Sequence, residues 1–265
     1  MNVALANTAT GGLSVRDVTI HYGRRMIVDR LSLPDLPAGE LTVLAGPNAA
    51  GKSTLLRAVA QLTRYRGTIT LDGRDLARMP GRERAQLVGF MPQTLPAGSS
   101  LVVLQSILAA LRATGETSAA EADAAAMAVL DRLGIADLAL RPLNQLSGGQ
   151  RQMVSLAQAI VRNPRLLLLD EPTSALDLAR QVRLLAELRR LAAEGRVVIA
   201  VLHDLALAAQ WADRIVVLHG GSVHSQGPPA EVLTPSMLAQ VYRVEARVER
   251  CTRDKLVVLI DREMP

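Results

Sequence analysis

At 265 residues the chain can bury a sizeable core, as one large domain or as a domain carrying a subdomain. With 49% apolar and 21% charged residues it has the balance of a soluble globular protein, while aromatics at 2% remove the stacking platforms that single-stranded nucleic-acid binding needs. The net charge of +5 comes mainly from Arg, since Lys52 and Lys255 are the only lysines; taken alone it describes a solvated, arginine-rich surface, open to nucleotide, nucleic acid or an anionic membrane.

Residues 1–12 read as a loose tail, and Met1–Ala6 lacks the basic start and long apolar stretch of a secretory signal. Leu13–Ile20 alternates with a period near two, as a half-buried strand does, and Tyr22-Gly23 is a turn. A second strand-like run begins at Met26. Leu41–Ala45 is a short apolar run suited to a central strand, and it leads into Gly46-Pro47-Asn48-Ala49-Ala50-Gly51-Lys52-Ser53, after which Ser53–Leu62 reads as a helix. Residues 66–91 carry strand and turn signals: Thr68–Leu71 ending at Asp72-Gly73, then Leu87–Met91 ending at Pro92.

From Leu101 to Val161 the chain is rich in Ala, Leu and Gln with helical spacing. Ser118-Ala119-Ala120-Glu121 has capping-box form and opens a helix that ends near Gly134. Strands and helices then alternate: Leu166–Leu169, a helix over Leu178–Ala193 ending at Gly195, Val197–Leu202, a helix over Leu205–Trp211, and Ile215–Leu218 turning at Gly220-Gly221. Thr234-Pro235 starts a helix for Ser236–Tyr242, and Val244–Ile260 reads as two short strands. The apolar runs are strand-length and too short to span a bilayer. Cys251 is the only cysteine, so no intrachain disulfide can form, which points to a reducing compartment.

The implied class is α/β, a mainly parallel sheet covered on both faces with an inserted helical subdomain. The strand–loop–helix context makes Gly46–Ser53 a P-loop for ATP. Gly46 and Gly51 let the backbone turn its N–H groups to the phosphates, and the following helix, with Thr54 in its first turn, adds its positive end. Lys52 then reaches the β- and γ-phosphates and the Ser53 hydroxyl binds Mg²⁺.

The apolar run Leu166–Leu169 delivers Asp170 to the phosphate end of the sheet, where it holds Mg²⁺ through its water shell. Glu171 beside it orients or deprotonates the attacking water. Alone, this is a buried strand ending in an acidic turn; the upstream P-loop gives it its meaning. Leu146-Ser147-Gly148-Gly149-Gln150 is a second anion-binding helix start, one more than a single nucleotide requires.

With these motifs the sequence resembles the ATP-binding cassette ATPases over nearly its whole length, and Leu146–Gln150 matches their signature. The resemblance implies that Tyr22 stacks on adenine, that Gln93 links Mg²⁺ to the helical subdomain, that Ser174-Ala175-Leu176-Asp177 crosses to a second subunit, and that His203 contacts the γ-phosphate. It further implies a P-loop NTPase core over 1–96 and 162–265 with an N-terminal antiparallel β subdomain, a helical subdomain over 97–161, and a head-to-tail dimer with each ATP between one P-loop and the partner's Ser147–Gln150 turn. At Ala49 the family usually has Gly, and alanine carries a cost if that position needs a positive φ.

Leu202–Ala209, Trp211–Arg214 and Gly227–Thr234 are similar to the importer cassettes for iron–siderophore, haem and cobalamin, and the tail ending at Pro265 fits a subunit without a fused regulatory domain. This resemblance implies permease subunits, indirectly a substrate-binding protein, and a peripheral position on the cytoplasmic face of the inner membrane. Pro96–Ser100 departs from the polar pattern of those importers, and Leu101–Leu104 with Ile107-Leu108 is either a buried helix or a groove for a permease helix, the latter favoured. A different cargo, or a non-transport task such as iron–sulfur assembly, is the alternative. A nucleic-acid-associated cassette also stays open given the basic charge, although those usually carry two cassettes or a long coiled-coil insertion, for which the helical region here is too short.

Overall fold

In a computed structural model of the chain, residues 11–94, 100–113 and 118–264 are described. Of the tail read over 1–12, residues 1–10 lie outside the described residues, as do Pro96–Ser99 and the domain boundary at 97, whereas Gly12 already belongs to a strand.

The first strands, β1 (Gly12–Tyr22) and β2 (Arg25–Pro37), pair antiparallel around the Tyr22–Arg25 turn, and their inward positions Leu13, Val15, Val18, Ile20, Val28 and Leu31 are buried. After β3 (Leu41–Ala45) and helix α1 (Lys52–Val59), β4 (Arg66–Leu71) and β5 (Arg74–Asp75) complete a four-stranded antiparallel sheet in the order β2-β1-β4-β5. Residues 81–87, where strand and turn signals were expected, form a helix instead, α2 (Gly81–Leu87), capped by Pro80. None of its side chains is buried, so no apolar period announced it.

The central sheet adds β6 (Val88–Met91), β7 (Leu166–Asp170), β8 (Val197–Val201), β9 (Arg214–His219) and β10 (Ser222–Gly227), in the order β10-β9-β3-β8-β7-β6. All neighbours are parallel except β9 and β10, a hairpin through Gly220-Gly221. Strands β3, β7 and β8 are buried at every residue, as strands covered on both faces must be. Each leucine there contributes about 1.5–3 kcal/mol of burial, so β7, with Leu166–Leu169 fully enclosed, is a rigid platform for the acids at its end.

Helices α3 (Val103–Arg112), α4 (Ala119–Leu133) and α5 (Gly148–Ile160) pack on one another through Val103, Ile107, Ala126, Leu130, Met153 and Val154. At the start of α4, Ser118 Oγ accepts from Glu121 N at 3.3 Å while Ser118 N donates to Glu121 Oε2 at 3.2 Å, a cap worth about 1 kcal/mol. Gly134, at φ +66°, ends the helix.

Two more helices, α6 (Leu178–Ala193) and α7 (Leu205–Trp211), are capped by the side chains of Asp177 and Asp204. Short helical turns at Pro229–Val232 and Pro235–Met237 follow, and the chain then widens into a π turn, Leu238–Tyr242, in place of the regular helix expected for Ser236–Tyr242. The chain closes with the hairpin β11 (Val244–Arg250) and β12 (Leu256–Glu263). Among the described residues no helix is long and apolar enough to cross a membrane.

Candidate functional site: a nucleotide site at the carboxyl ends of the strands

The parallel strands deliver the site residues to one edge. Gly46 follows β3, Asp170 ends β7, Gln93 lies just beyond β6 and His203 just beyond β8. This edge is where open α/β sheets bind ligands.

The P-loop backbone explains its residues. Gly46 has φ +138°, and a Cβ there would run into the Leu218 carbonyl, so only glycine fits. Gly51, at φ +97°, is the N-cap of α1. Ala49 has φ +63°, so the position does need a left-handed backbone and alanine bears the cost. Ala49→Gly will therefore remove about 1–2 kcal/mol of local strain and return about 0.4–1 kcal/mol to the unfolded chain as freedom. The apo protein's Tm should rise by about 1–3 °C, and a lower Tm would contradict this account.

Lys52 Nζ donates to the carbonyls of Gly46 and Pro47, each at 2.8 Å, and wraps the loop around its own ammonium. The side chain is 5% exposed, and burial pushes its pKa below the lysine range while Glu171 and Asp170 pull it back up. Pro47 is half-buried, Asn48 and Ala49 are exposed, Ala50 is buried, and Ser53 and Thr54 are half-buried in the first turn of α1. The loop therefore combines a cation, helix-start N–H groups and an open face, which is what a polyphosphate needs.

Ser53 Oγ donates to Asp170 Oδ1 at 2.7 Å. Asp170 is 1% exposed, and burial pushes its carboxyl above the usual range, against the Ser53 hydrogen bond. Two hard oxygen donors fit Mg²⁺, which keeps most of its waters and takes few protein ligands. Among the described residues no group of three or more His, Cys, Asp or Glu could hold a metal alone, so a metal here would lean on the nucleotide.

Glu171 takes a left-handed bend at φ +52°, a local strain of about 1–3 kcal/mol for a non-glycine residue. The bend presents its carboxylate between two partners: Gln93 Nε2 donates to Oε2 at 2.7 Å, and His203 Nε2 lies 2.7 Å from Oε1. Gln93, Glu171 and His203 are thus brought together, adjoining Ser53 and Asp170. A carboxylate held this way can orient a water or take its proton.

Other candidate residues stand apart from this cluster. Ser147 caps α5, accepting from Gln150 N at 3.3 Å, with Gln150 Oε1 accepting from Ser147 N at 2.9 Å. Gly148 is exposed, and Gly149 is buried where a Cβ would press on Ala175 O and Leu176. Among the described residues no hydrogen bond joins this turn to the P-loop. Asp177 caps α6 and pairs with Arg180 at 3.1 Å. Tyr22 is 66% exposed at the β1–β2 turn, with no hydrogen-bonded tie to the loop among the described residues.

The structure adds two residues that sequence reasoning passed over. Gln152, buried one turn into α5, donates to Glu171 O at 2.8 Å and accepts from Ala175 N at 3.0 Å. It ties the signature helix to the bend that carries the acid, and its position two residues past Gln150 was the only available signal. Tyr242 hydrogen-bonds the Gly46 backbone, while burial pushes its phenol up to about 12. Tyr242→Phe keeps the ring and loses about 1 kcal/mol of support; the KM for ATP should rise about fivefold with kcat unchanged, as steady-state kinetics will read.

The sequence model of the ABC transporter family matches residues 28–174. The chain is 41% identical to the hemin import ATP-binding protein HmuV of Rhodococcus jostii over 88% of this chain and 81% of that one. It is 38% identical to the iron(3+)-hydroxamate import ATP-binding protein FhuC of Bacillus subtilis over 89% of each. Among solved structures, an inward-facing metal-chelate type ABC transporter aligns with TM-score 0.79 and 28% identity over 95% of this chain and 97% of that chain. A dimeric bacterial ABC transporter cassette aligns with TM-score 0.75 and 28% identity over 82% and 98%. With this match and the P-loop on the same edge as the paired acids, the chain belongs to the ATP-binding cassette family, as an ATPase subunit.

Proposed function

We propose that this ATPase works as a head-to-tail pair and powers import of a metal chelate, of the haem or ferric-siderophore kind, through a membrane permease. The carrying observation is that each chain holds the two kinds of anion site on separate elements. The P-loop, Asp170, Glu171, Gln93 and His203 form one cluster, while Ser147–Gln150 opens α5 with no bond to it among the described residues. A second copy placed in reverse supplies the missing half. Likeness to a dimeric cassette supports this arrangement.

In this reading Lys52 and the loop N–H groups hold the phosphates, Tyr22 receives adenine, and Ser53 and Asp170, with Gln93, hold Mg²⁺, which would neutralise phosphate charge. Glu171 takes a proton from water and His203 fixes the acid's direction at the γ-phosphate. Ser147, Gly148, Gly149 and Gln150, with Asp177, act across the interface. The 1–96 and 162–265 core and the 97–161 helical region then move as two parts.

The printed cargoes of the relatives, hemin and iron(3+)-hydroxamate, support the chelate class. A permease fed by a substrate-binding protein would place the pair peripherally on the cytoplasmic face. Reconstitution of the chain with the permease that co-purifies with it, in liposomes given hemin or a ferric hydroxamate, tests this. ATP-dependent uptake of either is the expected result, and isolation with a soluble scaffold instead would overturn it.

A further inference from the structure

Two histidines that the nucleotide chemistry does not use meet at the tip of the β9–β10 hairpin. His219 ends β9, and the two-residue turn Gly220-Gly221, at φ +57° and +80°, brings Ser222 opposite it. Val223 then pairs with Leu218 and Ser225 with Val217, so His224 is the extra residue of a bulge. A bulge re-aims the side chain it carries. Both imidazoles are exposed, and they stand edge to face with their centres 6.4 Å apart.

That separation suits a shared metal ion. At about 2.0–2.1 Å per metal–nitrogen bond, two imidazoles on one ion have ring centres roughly 5–6.5 Å apart. The His224 ring is also held as metal-binding histidines are held. Its Nε2 donates to Gln240 Oε1 at 3.0 Å, and Gln240 Nε2 in turn donates to Ser236 Oγ at 3.2 Å, which keeps the amide oxygen toward the ring. His224 Nδ1 is then the nitrogen with the lone pair, and its one contact is a long 3.4 Å to Ser225 Oγ. Apart from His224, the His219 ring has no partner among the described residues.

Behind this pair lies the P-loop. Leu218, next to His219, lays its carbonyl where a Cβ on Gly46 would sit. Gln240 belongs to the π turn Leu238–Tyr242, whose Tyr242 hydrogen-bonds the Gly46 backbone. An ion bridging His219 and His224 therefore links both supports of Gly46, and a loop ordered in advance loses less entropy when phosphates arrive.

We propose that His219 and His224 bind a divalent transition-metal ion of the kind imidazole suits, such as Zn²⁺, Ni²⁺, Cu²⁺ or Fe²⁺, with Gln240 as the positioning residue, and that the bound ion braces the P-loop and tightens ATP binding. No third His, Cys, Asp or Glu joins the pair among the described residues, so water completes the shell. Two protein ligands make an exchangeable site, unlike the four of a structural zinc site. Mg²⁺, which takes oxygen ligands, is not bound by such a pair.

The test uses the full chain with Cys251→Ser, so that the exposed thiol takes no metal. Zn²⁺ is the probe, added to nucleotide-free protein in excess Mg²⁺. The only histidines are His21, His203, His219 and His224, so each imidazole ¹⁵N resonance can be assigned. Zn²⁺ should shift those of His219 and His224 alone. At a free concentration about 100 times its dissociation constant it should raise the Tm by about 5–10 °C. His219→Gln should abolish both effects and leave turnover without Zn²⁺ unchanged. Gln240→Leu should weaken Zn²⁺ binding about 10–100-fold, and Gln240→Glu, which keeps the acceptor, should restore it. Shifts at His203 instead, where Glu171 lies 2.7 Å from the ring, would put the ion in the nucleotide cluster and overturn the proposal. Zn²⁺ binding that survives His219→Gln would do the same.

A second measurement reads the brace. With free Zn²⁺ fixed by a metal buffer, a non-hydrolysable ATP analogue supplied as its Mg²⁺ complex should bind the loaded chain about fivefold more tightly or better, and the analogue should tighten Zn²⁺ binding by the same factor. The His219→Gln chain should show no such gain. An affinity for the analogue that is equal with and without Zn²⁺ overturns the brace, and the proposal with it.

Discussion

Glu171→Gln will bind ATP as tightly as the wild-type chain and hydrolyse it about 10²–10⁴-fold more slowly. The substitution keeps the shape of the side chain and removes only its ability to accept a proton. Gln93 can still donate to the retained carbonyl oxygen where it now meets Oε2 at 2.7 Å, and the left-handed bend at φ +52° costs Gln what it costs Glu. The ATP contacts in Gly46–Ser53 are untouched. ATP therefore stays, and with it the proposed closed pair, so size exclusion with ATP and Mg²⁺ should show a dimer in the mutant and a monomer after the wild type has turned over. Equilibrium binding and single-turnover hydrolysis measured on the same preparation separate affinity from chemistry. Turnover like that of the wild type would remove Glu171 from its role and leave His203, 2.7 Å from its carboxylate, as the next base to test.

Much of this cluster could be read from residue order because each member ends or follows a buried strand. Leu166–Leu169 and Val197–Leu202 are continuous apolar runs of strand length, which suit a central parallel strand buried on both faces, and the structure buries every residue of β7 and β8. Helices α6 and α7 fell where strands and helices alternate, with Gly195 marking the end of α6, while the capping by Asp177 and Asp204 appears only in the structure. Helix α2 did not, because a seven-residue helix with no buried side chain leaves no periodic trace. The π turn at Leu238–Tyr242 was hidden for a different reason: its residues have helical composition, and no local pattern marks a widened turn.

Contacts between distant segments were the least legible. Gln152 reaching Glu171 O, and Tyr242 reaching Gly46, depend on how the signature helix and the C-terminal segment lie against the sheet. No local pattern encodes that. The cost at Ala49 was conditional on its backbone angle, and a φ of +63° now makes it concrete.

Lys52→Ala should weaken nucleotide binding about 150-fold. Lys52 is the one buried basic side chain among the described residues, and it is already drawn into the loop by the Gly46 and Pro47 carbonyls. Its ammonium can therefore meet arriving phosphates without first being ordered, so little conformational entropy is spent on binding. Charge-assisted hydrogen bonds contribute about 1.5–3 kcal/mol each, and losing about 3 kcal/mol lowers ATP affinity about 150-fold. Lys52→Arg restores the charge but not the fit, because a planar guanidinium cannot sit where a compact ammonium donates to two carbonyls at 2.8 Å. Calorimetric titration with ATP, with and without Mg²⁺, should give a weaker dissociation constant for both variants, with Ala the worse. An affinity left unchanged by Lys52→Ala would mean that the phosphates bind somewhere other than this loop.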